Sequence, residues 1–189
     1  MLNNEQKAFI LSAPSGAGKN TIIQEILKKR NDLIYSISTT TRPHRGNEKN
    51  GGDYHFIPED EFKKQINDNK FLEWAMVLDN YYGTTKKEIQ DIFAQKKHAI
   101  LDLDVHGAMQ VKQNHPEAVI IFIMPPSLEV LRERLALRGT DSEEEIEKRL
   151  KLAEKEMAVK DKYDYILTNN EINKTVEELD SIISKFALV

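Results

Sequence analysis

The architecture of this chain turns on residues 12–21, "SAPSGAGKNT". Gly18 and Lys19 fit the pattern G-x-x-x-x-G-K-[ST], but Ala13 stands where its first glycine belongs and Asn20 where its Ser or Thr belongs. Such a stretch is a phosphate cradle only between a strand and a helix, where successive backbone N–H groups and a helix N-terminus point at one spot. Both flanks are present. "KAFILSA" is a short apolar run ending at the turn, and "KNTIIQEILKKR" sets Ile22, Ile23, Ile26 and Leu27 at helical spacing, with cations in its last turn. Lys19 then supplies a point charge for β- and γ-phosphates; the alternative is a structural turn with a surface lysine. Ala13 excludes a positive φ at that position and little else. Asn20 matters more, because the missing hydroxyl is a Mg²⁺ contact, although an amide carbonyl is still a hard oxygen ligand.

Beyond the cradle, strands and helices alternate. "LIYSIS", "FLEWAMV", "HAILDLD", "AVIIFIM" and "YDYILTN" read as strands. "PEDEFKKQIND", "TTKKEIQDIFAQKK" (capped by Thr84 or Thr85), "SLEVLRERLALRG" (Ser127 to Gly139), "DSEEEIEKRLKLAEKEMAVKD" (Ile146, Leu150, Ala153 and Met157 on one face) and "NKTVEELDSIISKFALV" read as helices. "TTTRPHRGNEKNGGDY" reads as loop or tight turn, and "NYYGTT" as a turn that suits a ligand-lining loop. The alternation predicts an α/β fold, a parallel sheet with helices on both faces. Two segments fit that core poorly and read as excursions: the Arg- and Gly-rich stretch 38–86 and the charged helices over about 126–160.

The 189 residues suffice for one domain, and the net charge of −4 provides no global basic field for nucleic acid. The chain has no cysteine, which excludes disulfides and thiolate metal sites. No run of 18 apolar residues and no signal-peptide core stand out. A cytoplasmic protein with small-molecule partners, and neither nucleic acid nor membrane, is expected.

Several further side chains carry chemistry. Arg42 and Arg45, three apart in "TTTRPHRG", suit a phosphate or carboxylate, or are two solvated surface arginines. Glu73 interrupts an apolar strand. Pointed into a cleft it needs donors, which a base edge with two N–H groups would supply; pointed outward it is an edge-strand glutamate. Asp102 and Asp104 end a buried strand, where parallel sheets bind ligands and where nucleotide kinases hold a Mg²⁺-organising acid; capping carboxylates are the other reading. Arg132, Arg134, Arg138 and Arg149 crowd the second excursion, as arginines that close over phosphates or as solvated helix faces. The histidines show no metal-ligand spacing.

Taken in order, "SAPSGAGK", "STTTRPHRG", "GGDYHF", "FLEWA", "NYYGT", "LDLDVHG", "FIMPPS", "RGTDSEEEIEKRL" and "YDYILTN" resemble the guanylate kinase family, P-loop nucleoside monophosphate kinases, from about Phe9 to Phe186. The resemblance implies phosphoryl transfer from ATP to GMP with Mg²⁺, in purine nucleotide metabolism. It also implies a P-loop-type core (about 1–35, 87–125 and 161–189), a GMP-binding region (about 36–86) and a lid (about 126–160) within one domain. By resemblance Ala13, Pro14, Ser15, Gly16, Ala17, Gly18, Lys19, Asn20 and Thr21 form the ATP cradle and Asn169 contacts adenine. Ser38, Glu73, Thr84 and Asp104 face guanine, and Arg42, Arg45, Tyr54 and Tyr82 the GMP phosphate. Arg134, Arg138 and Arg149 are the lid arginines. Asp102 resembles the acid that reaches Mg²⁺ through water, and Asn20 is the departure that puts the metal contact in question. The rival class is a guanylate-kinase-like protein-interaction module; such modules typically lack an intact cradle, whereas Gly16, Gly18, Lys19 and the arginine set are present here. A kinase for another monophosphate is disfavoured by Glu73, since adenine offers no paired N1–H and N2–H₂ donors.

Overall fold

The computed structural model describes residues 6–77, 79–139 and 141–186. Its core is a five-stranded, all-parallel sheet in the order β2-β7-β1-β8-β9, formed by β1 (Ala8–Ser12), β2 (Leu33–Tyr35), β7 (His98–Asp102), β8 (Val119–Met124) and β9 (Tyr165–Thr168). Side chains alternate across the sheet because the strand period is two. Phe9 and Leu11 pack into one buried cluster with α1 (Lys19–Lys29) and α7 (Ile172–Ser184); Ala8 and Ile10 pack into another with α3 (Lys86–Ala94) and α4 (Val105–Asn114). A strand covered on both faces must be apolar throughout, and all five residues of β1 are buried. Among the described residues no helix is long and apolar enough to cross a membrane.

The first excursion is a second sheet, ordered β4-β3-β6-β5, from β3 (Thr39–Thr40), β4 (His55–Phe56), β5 (Phe71–Val77) and β6 (Asn80–Thr85). This corrects two sequence expectations. "NYYGTT" is strand β6, not a turn, because β3 and β5 flank it on both sides. "TTTRPHRGNEKNGGDY" is not wholly loop, since Thr39 and Thr40 pair with both β4 and β6. The strand in "LIYSIS" is also shorter than read, ending at Tyr35. Helix α2 (Glu59–Asn67) is polar apart from Phe62 and Ile66; Phe62 is fully buried and stacks on Phe71 with ring centroids 4.3 Å apart. That one aromatic holds the helix against the sheet.

Two clamps join the second sheet to the core. The Gln110 amide on α4 accepts from Trp74 N at 3.3 Å and donates to Trp74 O at 3.1 Å. Glu88 on α3 accepts from Ile37 N at 3.0 Å, and its other oxygen lies 3.3 Å from His55 Nε2.

The second excursion is the helix pair α5 (Leu128–Leu137) and α6 (Glu143–Met157), N-capped by Ser127 and Ser142. It has a small core of its own: Leu131 and Leu135 against Ile146, Leu150 and Ala153. Met157 leaves that face and packs on the main-sheet cluster instead, which ties the end of α6 to the core. Helix α3 is capped by Thr85, whose side chain accepts from Glu88 N; Thr84 plays a different part.

Candidate active site

The cradle lies at the C-terminal end of β1, where Leu11 stands in register with Asp102 of β7. Ser12 Oγ donates to the carbonyls of Leu103 (2.9 Å) and Asp104 (3.2 Å), joining the turn after β7 to the turn after β1. The loop bends through Gly16 (φ 96°) and Gly18 (φ 95°), left-handed conformations that favour glycine. Position 13 has no such φ, so Ala13 meets no strain where the pattern expects glycine. Helix α1 starts at Lys19; among the described residues no side chain caps it and its first turn holds no acid. Its leading N–H groups therefore face the loop, in contrast to α3, α4, α5 and α6, which Thr85, Asp104, Ser127 and Ser142 cap. A cavity of about 350 Å³ fills the concavity, lined by residues of the cradle from Ala13 to Thr21 together with Asp104, Arg138 and Glu156. Lys19 Nζ forms an ion pair with Asp102 and donates to Leu103 O at 3.2 Å.

A second cavity of about 290 Å³ opens between the two sheets. Ser38, Tyr54, Glu73, Tyr82, Asp102 and Asp104 line it. Glu73 is 6 % exposed, so the strand glutamate faces the cleft rather than water. Its Oε1 accepts from Thr84 N at 2.8 Å. Burial pushes its carboxyl up to about 7; hydrogen bonds from the Thr84 hydroxyl and backbone oppose that rise, and the Asp104 charge adds to it. Thr84, 1 % exposed, thus stands behind Glu73 and outside the lining of this cavity, because its donors are turned to that carboxylate. Asp104 is a capping carboxylate that also faces open space. Its Oδ1 caps α4 by accepting from Gly107 N at 2.7 Å, and the residue lines both cavities.

The two arginines of the loop differ: Arg42 is not a solvated surface arginine, whereas Arg45 is exposed. Arg42 is 7 % exposed, and its guanidinium carbon lies 4.9 Å from the Tyr54 ring centroid. It forms a bidentate pair with Glu48, both contacts at 2.6 Å. Glu48 also accepts from Arg45 N at 2.8 Å, and Arg42 holds its carboxyl down at about 2. The Arg45 side chain is exposed, and neither arginine lines the 290 Å³ cavity. Glu48 gave no sequence signal as a partner beyond lying six residues from Arg42.

The arginines of the second excursion separate. Arg132 pairs with Glu143 and Glu147, a solvated cluster. Arg138 reaches the cradle cavity, and Arg149 Nη1 donates to Ser15 Oγ at 2.9 Å. Arg134 turns to the far side of the loop, donating to Ala17 O (3.4 Å) and Asn169 O (3.0 Å). The Asn169 side chain is buried against that same loop, donating to Ala17 O at 2.7 Å. Glu156, half-buried in the cradle cavity, escaped the sequence reading; the only signal is its place on α6, one helical step from buried Ala153.

The chain matches the family model for guanylate kinase over residues 5–186. The chain belongs to the guanylate kinase family. It is 47 % identical over 175 residues to the guanylate kinase of Carboxydothermus hydrogenoformans, covering 93 % of this chain and 86 % of that one. It is 43 % identical over 183 residues to that of Rickettsia bellii, covering 97 % and 96 %. The crystal structure of guanylate kinase from Anaplasma phagocytophilum superposes with a TM-score of 0.75 at 30 % identity, over 97 % of this chain and 87 % of that one. A shikimate kinase from Bacteroides thetaiotaomicron, 14 % identical with a TM-score of 0.52, shares the fold over 94 % of this chain and 98 % of its own. The guanylate kinase family is one of nucleoside monophosphate kinases; the chain is accordingly an enzyme that phosphorylates GMP, and the interaction-module reading is not favoured.

Proposed function

We propose that the cradle of residues 13–21 takes the polyphosphate of ATP, that the cavity around Glu73 takes the guanine of GMP, and that the γ-phosphoryl group passes between them. One observation carries this reading: Asp104 lines both cavities, so donor and acceptor sites meet at one side chain. A coupled assay of ADP formation with GMP, AMP, UMP and CMP tests it. GMP alone should support turnover; equal rates with all four would overturn the assignment of the Glu73 cavity to guanine. The residues from β3 to β6 would then be the GMP-binding region and α5–α6 the lid, and the setting we propose is the cytoplasm, with its nucleotide pool.

In this reading Glu73 accepts from the guanine N1–H and N2–H₂, while Thr84 orients Glu73. Arg42 and Arg45, with Tyr54 and Tyr82, hold the GMP phosphate. Lys19, Arg138 and Arg149 bring positive charge to the transferring group, so that two polyanions are held in line without a covalent intermediate. Closure of α5–α6 excludes water from the bound phosphates.

The donor set fits Mg²⁺ delivered on ATP. Among the described residues no group of three or more His, Cys, Asp or Glu is placed to hold a metal alone. The exposed Asn20 carboxamide in the cradle and the Asp102 carboxylate beside Lys19 are oxygen donors of the kind Mg²⁺ takes together with phosphates and water. Bound there, Mg²⁺ would offset phosphate charge. Asn20 reaches farther than a serine, and Mg²⁺ demands near-ideal octahedral placement. Asn20→Ser should therefore lower the Mg²⁺ concentration for half-maximal rate with the GMP KM nearly unchanged, and Asn20→Leu should raise it. A Mg²⁺ titration of Asn20→Leu that overlays the parent would show that Asn20 takes no part in metal placement.

Hydrogen exchange checks the lid. The α5–α6 pair joins the rest of the chain through Arg134, Arg149, the Leu131–Leu135 edge beside Gly16 and, at the end of α6, Met157. Its amides should gain protection when both nucleotides bind. Equal protection of residues 128–157 with and without ligands would count against closure.

A further inference from the structure

The carbonyl of Ala17 receives two side-chain donors: Asn169 Nδ2 at 2.7 Å and, more weakly, Arg134 Nη1 at 3.4 Å. Asn169 is itself fixed on every side. It is 1 % exposed, its Oδ1 accepts from Thr175 Oγ1 at 3.2 Å, its N–H donates to Met124 O at 2.8 Å, and its carbonyl accepts from Arg134 Nη2 at 3.0 Å. Gly18 lies directly against it: a Cβ there would stand 2.5 Å from Asn169 Nδ2. In a trans peptide the C=O and the following N–H point in opposite directions, and the described chain has no cis peptide bond. A carbonyl of Ala17 held toward Asn169 and the β9–α7 turn therefore leaves the Gly18 N–H facing the other way, at the mouth of α1.

We propose that Asn169 is a positioning residue for the phosphate cradle. It fixes the Ala17–Gly18 peptide so that the Gly18 N–H is presented to the polyphosphate, with Thr175 orienting Asn169 from behind. Arg134, which holds both Ala17 and Asn169, joins helix α5 to the same brace, so the lid and the cradle share one hydrogen-bonded junction. The proposal rests on the reading that residues 13–21 bind the phosphates of ATP. It assigns Asn169 a target different from the adenine contact implied by family resemblance, because a side chain buried to this degree is committed to the loop.

Binding measurements with a ligand that has no base separate the two. Dissociation constants for ATP, inorganic tripolyphosphate and GMP would be measured by calorimetry on the full chain and on Asn169→Leu and Thr175→Val, neither of which changes charge. Loss of a donor to the buried Ala17 carbonyl should weaken ATP and tripolyphosphate by the same factor, about 5- to 100-fold, with GMP unchanged. Thr175→Val, which touches neither ligand, should shift both phosphate ligands in the same sense by a smaller factor, and it keeps the test decisive if Asn169→Leu does not fold. Weakened ATP with unchanged tripolyphosphate would place Asn169 on the base and overturn the proposal. Unchanged affinity for both in either folded variant, or a parallel loss of GMP binding, would reduce the brace to general packing and overturn it too. Failure of the unaltered chain to bind ATP or tripolyphosphate would instead remove the cradle reading, and this proposal with it.

Discussion

Glu73→Gln is expected to lower kcat/KM for GMP by about 10⁴–10⁵ while ATP binding persists, the range by which sites built on hydrogen bonds reject a mismatched partner. The amide keeps an oxygen for Thr84 N, which now binds Glu73 Oε1 at 2.8 Å, so the local backbone has no reason to move. What changes is the other side of the group, where N–H₂ would face the guanine donors. Loss of ATP binding in the same variant would make Glu73 a structural residue. The same carboxyl predicts the pH profile. Its folded value of about 7 lies above the ordinary 4.5. Below about 7 the neutral acid turns a proton toward the guanine donors, so the GMP KM should rise as pH falls from 8 to 6, approaching tenfold per unit, while the ATP KM stays flat. Stability runs the other way. A folded value raised above the unfolded one means a contribution fully present below about 4.5 and lost as pH rises through 7. Glu73→Gln cannot ionise, so its melting temperature should exceed the parent's at pH 8 and converge on it only below about pH 4.5. Equal melting temperatures at pH 8 would show that burial does not disfavour the charge there.

Arg42→Ala should lower kcat/KM for GMP by about 10²–10³, with KM raised and kcat reduced, as expected for one member of a desolvated charge pair that also aligns the reacting phosphate. Two of its nitrogens already hold Glu48, each at 2.6 Å, and Nη1 also donates to Pro43 O at 2.9 Å, which leaves Nε–H and one N–H of Nη2 for an anion. Arg42→Lys should rescue little, because an ammonium has no planar fork to share between Glu48 and a phosphate. Steady-state kinetics with GMP as the varied substrate reads both variants. Unchanged GMP constants in Arg42→Ala would remove the phosphate assignment and leave the Arg42–Glu48 pair as a strut of the second sheet.

Most of the core was legible from local pattern. β1, β7 and β8 are short apolar runs; α1 and α7 carry their buried residues at helical spacing, Ile22, Ile23 and Ile26 on one and Val176, Leu179, Ile182 and Ile183 on the other. The cap at Ser127, and the choice of Thr84 or Thr85 that the structure resolves to Thr85, are side-chain features of a single turn; the Ser142 cap is equally local and went unread. The cradle could be read because its glycines answer a local demand, a positive φ at 16 and 18. Such features depend on neighbours in the chain, so sequence alone specifies them.

Tertiary structure settled whatever depends on a partner far along the chain. "NYYGTT" carries the glycine of a turn, yet it is a strand because Thr41 and Tyr81 meet across 40 residues and β5 pairs on its other edge. The reading of Asp104 as a cap holds, and that the same residue also lines two cavities became visible only in the folded chain. Asn169 and Ala17 lie 152 residues apart, and no periodicity joins a buried amide to one loop carbonyl. Backbone sterics and helix or strand period act over a few residues and are written in composition. The choice of hydrogen-bond partner for a buried polar side chain is made by whatever the packed sheet brings within 3 Å of it, and only the folded chain contains that distance.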